Sequence, residues 1–341
     1  IRRLFSDSSN FNMNNIADIL QAALQARLNF MDEHHKTAFR LFNGFTEGLP
    51  SFSLDIYAQT GLIHNYGMEN SGLQVEEICN WMLKNLPWLH CIIIKTREGT
   101  TSTQKRGEII HGKVPDNKIL ENGVWYAINL TMNRDASLYM DTRNLRVWAK
   151  NNLSGMNVLN TFAYTGSLGV AALAGNAKTV IQLDKNKSFL DLAQQSSALN
   201  GFQTSASHFL ASDFFPAISQ LKKSGKYFDC IFLDPPFFAS TPKGRVDLEA
   251  DNARLINKVR PLINHNGMLV TINNALFVSG KDYLQALQAL CTGGYLQIED
   301  IIPVPEDFIG NKTLPSNLPA DPAPFNHSTK IVVLRVKRKS A

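Results

Sequence analysis

The sequence is poor in the residues that staple, tether or strongly charge a protein. Its 341 residues hold only four cysteines, Cys79, Cys91, Cys230 and Cys291, widely spaced and without a C-x-x-C pair. That pattern argues against a disulfide framework or a zinc site, and predicts free thiols in a reducing cytoplasm. No run of about 18 apolar residues occurs, so no membrane-spanning helix is expected. The opening stretch IRRLFSDSSNFNM has two arginines and no apolar block, which predicts no secretion signal, and its initial Ile reads as a trimmed start. Excess charge is modest: 34 Lys and Arg against 29 Asp and Glu give a net +5, which fits a polyanion partner without requiring one. Internal repeats are absent, and so is the dinucleotide fingerprint G-x-G-x-x-G, whose first glycine falls at Tyr164.

What is present is a chain long enough for two domains, 44% hydrophobic and 18% charged. Apolar spacing predicts an amphipathic helix over 14–36, closed by His34 and His35, which suit contacts with a helix C-terminus rather than a metal. AFRLFNGF, SFSLDIYA and GLIHNYG read as short strands, followed by a helix near 72–86 and the strand HCIIIK. The polar stretch REGTTSTQKRGEIIHGK predicts an exposed hairpin, and VWYAINL a further strand. Lys105, Arg106 and Lys113, with Lys95 and Arg97, are read either as phosphate contacts or as a solvated basic hairpin. Trp81, Trp88 and Trp148 are expected in the core or in packing between domains. The expected division is a helical segment over 1–36, a small α+β domain over 37–130 and a larger domain over 131–341.

Beyond residue 150 the pattern turns to regular alternation. MNVLNTF, KTVIQLD, ASHFLAS, FDCIFLD, GMLVTIN, LQIEDII and KIVVLRV are strand candidates, the first six with helical stretches between them. Nearly continuous apolar strands alternating with helices predict a doubly wound α/β fold with a seven-stranded sheet. The last strand follows the proline-rich LPSNLPADPAP, so a final antiparallel hairpin is expected.

Ligands in such sheets bind beyond the carboxyl ends of the strands, near the switch point. Those ends carry Phe162-Ala163-Tyr164-Thr165-Gly166, Asp184, Ser212-Asp213, Asp234-Pro235-Pro236-Phe237 and Asn273-Asn274. An acidic residue about 20 positions past a glycine turn can accept from both hydroxyls of a ribose, which assigns Asp184 that role. Asp213 is suited to an adenine amino group. Asp and Ser also cap helices, and for any one of these residues that reading serves as well. Paired prolines after a buried strand stiffen the turn and leave carbonyl oxygens as acceptors, and Phe237 can stack on a base.

Together with RLFNGFTEGLPSFSLDIYA, KTREGT, SLYMDTRNLR, ALNG and INNALF, these motifs make the chain resemble class I S-adenosylmethionine-dependent methyltransferases. In particular it resembles the bacterial large-subunit (23S) rRNA methyltransferases that join a small domain to this Rossmann-like fold. The resemblance implies S-adenosylmethionine as cofactor, held by Tyr139, Asp141, Arg143, Phe162, Tyr164, Thr165, Gly166, Asp184, Asp213 and Asp234. It implies a structured RNA partner, docked in part by the small domain, and no membrane. Ser137 stands where that family usually carries glycine.

Both cytosine carbon-5 and guanine nitrogen-7 enzymes occur among such proteins. Carbon 5 needs a cysteine thiolate to attack the ring, and Asn274 stands where the cytosine branch has that cysteine. Guanine nitrogen 7 already carries a lone pair and needs mainly positioning, for which Asp234, Pro235, Pro236, Phe237, Asn273 and Asn274 are the candidates. Exocyclic-amine methylation, small-molecule methylation and a non-catalytic RNA-binding assembly factor are the alternatives the sequence leaves open.

Overall fold

The computed structural model describes residues 16–67, 72–236, 238–241, 244–309 and 320–338. Helix α1 (Ile16–Arg27) buries Leu20, Ala23 and Leu24 on one face. A single tight turn, Leu28–Phe30, follows it, so the helix is shorter than expected, and His34 and His35 lie beyond its end. The Asp32 carboxylate stops it by accepting the backbone N–H groups of His34, Lys36 and Thr37. His35 stacks on Trp88 at 4.1 Å.

Strands β1 (Ala38–Phe42), β2 (Phe52–Tyr57) and β3 (Thr60–Asn65) precede helix α2 (Gly72–Asn85) and strand β4 (Cys91–Thr96). Helix α3 (Ser102–Arg106) and edge strand β5 (Glu108–His111) complete a sheet in sequence order, antiparallel except where α2 carries the chain over from β3 to β4. The expected hairpin over REGTTSTQKRGEIIHGK is therefore corrected to a short helix and a strand. A capping box explains it: Thr101 accepts the Gln104 N–H, and the Gln104 side chain accepts the Thr101 N–H.

Strands β6 (Lys118–Glu121) and β7 (Val124–Ala127) pair only with each other among the described residues. The larger sheet begins after α4 (Arg143–Asn152), with β8 (Asn157–Thr161), α5 (Ser167–Ala174), β9 (Thr179–Asp184), α6 (Lys187–Leu199), β10 (Phe209–Ala211), α7 (Phe214–Lys223) and β11 (Phe228–Leu233). The chain then forms a hairpin the sequence did not announce, β12 (Phe238–Thr241) and β13 (Gly244–Asp247), which pair as a separate two-stranded sheet. Helix α8 (Leu248–Val259), β14 (Ile263–Asn273), α9 (Gly280–Cys291), β15 (Leu296–Ile302) and β16 (Lys330–Val336) complete the larger sheet and its helices. The spatial order is β10-β9-β8-β11-β14-β16-β15, parallel except for β16, which runs antiparallel to β14 and β15. This is the expected seven-stranded, doubly wound sheet with its final antiparallel hairpin. Its order reverses between β8 and β11, which sets the switch point there.

The two glycines three apart after β8 have a packing role. A Cβ on Gly169 would stand 2.2 Å from the Gln182 side chain, and one on Gly166 only 2.4 Å from the Ala193 Cβ. Glycine there lets α5 lie directly on β9, and Gln182 Nε2 donates to the Gly166 carbonyl at 3.0 Å.

Polar contacts knit the parts together. The Tyr57 hydroxyl donates to the Leu138 carbonyl at 2.9 Å. The hairpin β6–β7 binds α6 through Ala127 N–H to Ser196 Oγ and Trp125 N–H to Asn200 Oδ1, each at 2.9 Å. Asp307 accepts both the Arg40 backbone N–H and the Arg143 guanidinium.

Candidate functional site

At the switch point the chain leaves β8 through three residues of positive φ, Phe162 at 53°, Tyr164 at 51° and Gly166 at 75°. Two of them carry side chains, so the turn is held in a conformation L-residues avoid, and the surroundings must enforce it. They do so at several points. The Tyr164 N–H donates to Asp184 Oδ2 at 2.9 Å, and its hydroxyl donates to the Ala136 carbonyl at 2.8 Å. Its ring packs against Tyr139 at 5.1 Å and edge-on to Phe189 at 4.5 Å. The Thr165 hydroxyl donates to the Ser137 carbonyl. Ser137 Oγ in turn accepts the Asn129 N–H at 2.7 Å, so its extra hydroxyl has a partner. Phe162 stacks on Phe214 at 4.7 Å.

Three carboxylates follow the carboxyl ends of β9, β10 and β11, on the two sides of β8. Asp184, at the end of β9, accepts the Tyr164 and Asn186 N–H groups on its two oxygens. Burial raises its pKa against the pull of those two bonds. Asp213 sits at the N-terminus of α7, exposed, and its side chain makes no capping bond to that helix. The cap reading, open from the sequence, does not account for it. Asp234, at the end of β11, is half-buried and has no hydrogen-bond partner among the described residues. Burial, with the nearby Asp141, pushes its carboxyl up to about 7. Asp141 is held in place by the Thr329 hydroxyl at 2.8 Å.

After Asp234, Pro235 is buried and Pro236 exposed. Phe237 lies outside the described residues. At the end of β14, Asn273 is buried and accepts the Ala275 N–H at 3.0 Å, whereas Asn274 is exposed. The pair thus divides into a turn-forming and a presenting residue. Lys330, opposite Asn273 on β16, donates to the carbonyls of Ala275 and Ser328, and burial pushes its ammonium down to about 8.

Arg143 stands apart from this group. Its guanidinium binds Asp307 and the Ala38 carbonyl, lies 3.5 Å from Glu121, and stacks over Phe30 at 5.6 Å. These bonds join β1 of the small sheet to the 306–308 turn that follows β15, and none of them involves a strand-end carboxylate. Sequence reasoning missed the anchors Asn133, Asp307 and Thr329. Asn133 Nδ2 donates to the Tyr164 hydroxyl at 2.9 Å.

All four thiols stand apart from these strand ends. Cys230 is buried inside β11 and Cys91 inside β4, and burial raises the pKa of both. Cys79 on α2 and Cys291 on α9 are raised for the same reason. Among the described residues no group of His, Cys, Asp and Glu can hold a metal, and no helix is long and apolar enough to cross a membrane.

Residues 100–308 match the family model of S-adenosylmethionine-dependent methyltransferases. A curated relative from Aeromonas salmonicida, named ribosomal RNA large subunit methyltransferase I, is 30% identical over 65% of this chain and 57% of its own length. The protein of that name from Yersinia pestis is 31% identical, again over 65% of this chain, and 58% of its own. The chain thus spans less than two thirds of these relatives. A solved protein described as a methyltransferase and complexed with SAH superposes with a TM-score of 0.82 at 22% identity, covering 94% of this chain and 80% of that one. A Streptococcus mutans protein described as a SAM-dependent methyltransferase gives 0.80 at 20% identity, with the same coverage. At these identities the likeness is one of fold.

Proposed function

The chain belongs to the family of S-adenosylmethionine-dependent methyltransferases, and from that premise we propose that it methylates a base of large-subunit rRNA, at a guanine ring nitrogen, by direct transfer. Its methyl donor is S-adenosylmethionine, which supplies an electrophilic methyl group on a sulfonium. The residues present fit that cofactor on two counts: Asp213 and Asp234 are carboxylates without a partner among the described residues, and the Tyr164 turn is braced by Asp184 and by the carbonyls of Ala136 and Ser137. In this reading the turn 164–166 wraps the methionine part, Asp184 takes the ribose hydroxyls and Asp213 the adenine amine. Tyr139, exposed and packed on Tyr164, closes one side with Asp141.

The observation that carries the acceptor assignment is the state of the cysteines. A carbon-5 mechanism needs an exposed thiolate beside the base, and every thiol here is displaced from the strand ends with its pKa raised. A ring nitrogen attacks with its own lone pair, so the protein has only to orient it. Exposed Asn274 and the carbonyls of the Asp234-Pro235-Pro236 turn supply that orientation, with Phe237 as the stacking partner. A second reading, exocyclic-amine methylation, draws on Asp234, whose pKa near 7 suits it to receiving a proton.

The names of the curated relatives support rRNA of the large subunit as substrate. The test is transfer of labelled methyl to unmodified large-subunit rRNA, with the digested nucleosides identified by mass spectrometry. Label in 7-methylguanosine is expected. Label in 5-methylcytidine would overturn the cysteine argument, and label in an N2-methylguanosine or N6-methyladenosine would select the second reading.

A further inference from the structure

A concavity at the carboxyl ends of β3 and β4 is lined by Lys95, Arg97, Lys105 and Arg134 together with His64 and Tyr66. The polar groups of this wall are unequally engaged. Lys95 is buried and donates to the carbonyls of Asn133 and Asp135, each at 2.8 Å, so its role is to hold the loop 133–135. Arg97 is exposed and lies 3.7 Å from Asp135, the only carboxylate pairing with a lining arginine or lysine among the described residues. Exposed Arg134 donates to the Arg97 carbonyl at 3.2 Å. The Lys105 ammonium has no hydrogen bond or ion pair with any described residue, its backbone N–H alone being engaged, with the Thr101 carbonyl. Beside these cations the Tyr66 ring is 41% exposed, lies nearly parallel to His64 at 6.3 Å, and is steadied by its hydroxyl against Ser53.

Cations with few acidic partners next to an exposed aromatic ring match a nucleic-acid backbone carrying an unstacked base. We propose that this concavity grips single-stranded RNA next to the target nucleotide, with Arg97, Lys105 and Arg134 at phosphates and a base stacked on Tyr66. This rests on the reading of the chain as an RNA methyltransferase and assigns that reaction a docking site outside the strand ends. The place of the concavity supports it. The loop that Lys95 holds also carries Asn133, whose side chain binds the Tyr164 hydroxyl in the turn after β8. RNA seated here touches the loop that braces the methyl-transfer site, one hydrogen bond from the turn itself.

The test is fluorescence anisotropy of the full chain with a fluorescein-labelled, single-stranded RNA oligonucleotide of mixed sequence over a salt series, with S-adenosylmethionine binding followed in parallel. Lys105→Glu is expected to weaken RNA binding about tenfold and to lower the salt slope by about one. Tyr66→Ala should weaken it about tenfold, whereas Tyr66→Phe, which keeps the ring, should stay close to the original protein. Arg106→Glu, an exposed neighbour that does not line the concavity, should have less effect than Lys105→Glu. Cofactor affinity should be the same in all four variants. RNA binding unchanged in both Lys105→Glu and Tyr66→Ala would overturn the proposal, as would displacement of the RNA by millimolar inorganic phosphate. If the unaltered protein transfers methyl to rRNA while these variants bind as it does, the docking site fails and the function stands. RNA binding that depends on Lys105 and Tyr66, without transfer to any rRNA, would leave the docking site standing and remove the function.

Discussion

The backbone N–H of Tyr164 donates to one oxygen of Asp184 at 2.9 Å, while the N–H of Asn186 holds the other at 2.8 Å. One carboxylate thus fixes both the strained turn after β8 and the start of α6. Its remaining lone pairs are left for a ligand. Replacing it removes charged-group hydrogen bonds worth about 1.5–3 kcal/mol each. Asp184→Ala should therefore weaken S-adenosylmethionine binding by about tenfold or more in calorimetry, and Asp184→Asn, which keeps one acceptor, by less. Unchanged affinity in Asp184→Ala would remove the residue from the cofactor site.

Asp234 gives a pH signature with a definite sign. Its carboxyl is raised from 3.8 to about 7, so the folded protein binds a proton there that the unfolded chain has released. Stability contributed by this group is therefore lost as pH rises between about 4 and 7. The shift corresponds to an upper limit of about 4 kcal/mol. Asp234→Asn should raise the midpoint of thermal unfolding at pH 8 and leave it nearly unchanged at pH 4. Methyl transfer by the unaltered protein should climb through pH 7 if the carboxylate form serves the base, and the variant should lose that step. A variant no more stable at pH 8 would show that Asp234 is solvated.

Gly169→Ala tests the packing of α5 on β9. The added methyl would meet Gln182 at 2.2 Å, and that side chain is tied to Gly166 and Asn160. Overpacking of this kind costs about 1–3 kcal/mol. Thermal unfolding should show the loss, and Gly169→Ala combined with Gln182→Ala should recover part of it. A loss in the double variant equal to the sum of the two single losses would place the strain elsewhere.

Glu121 and Arg146 form a buried ion pair at 2.6 Å, with side chains 2% and 1% exposed. Although burial opposes it, Arg146 and Arg143 hold the Glu121 carboxyl below the usual range. Its contribution is present above the unfolded carboxylate pKa and is lost as pH falls through the lower folded value. Glu121→Ala leaves Arg146 buried without its partner and should cost about 3–5 kcal/mol in urea unfolding at pH 7. The difference should shrink in acid. A cost independent of pH would point to packing rather than charge.

The larger sheet was readable because strands buried on both faces are written as apolar runs, as in Cys230–Leu233 or Leu269–Val270, and acidic or amide residues follow several of them. The α3 capping box was equally visible in Thr101 and Gln104, but the polar composition around it suggested a hairpin. His34 and His35 were misplaced because Asp32, a turn-forming acceptor, reads in sequence like one more helical residue. Other contacts left no local trace. Arg143 meets Asp307 across 164 positions and Asp141 meets Thr329 across 188, and neither residue of either pair predicts its partner. Arg143 and Asp141 share one motif, and the tertiary fold sends one to Asp307 and leaves the other by Asp234.

Strand β16, the last described strand, lies between β14 and β15, hydrogen-bonded to both. During synthesis β14 and β15 leave the ribosome well before residues 330–336, each with an unpaired edge where β16 will lie. The sheet closes only when that final segment threads between them. A nascent chain arrested before residue 330 should therefore carry two open strand edges and depend on chaperones, whereas one given a C-terminal extension long enough for the tunnel to release residue 336 should resist protease.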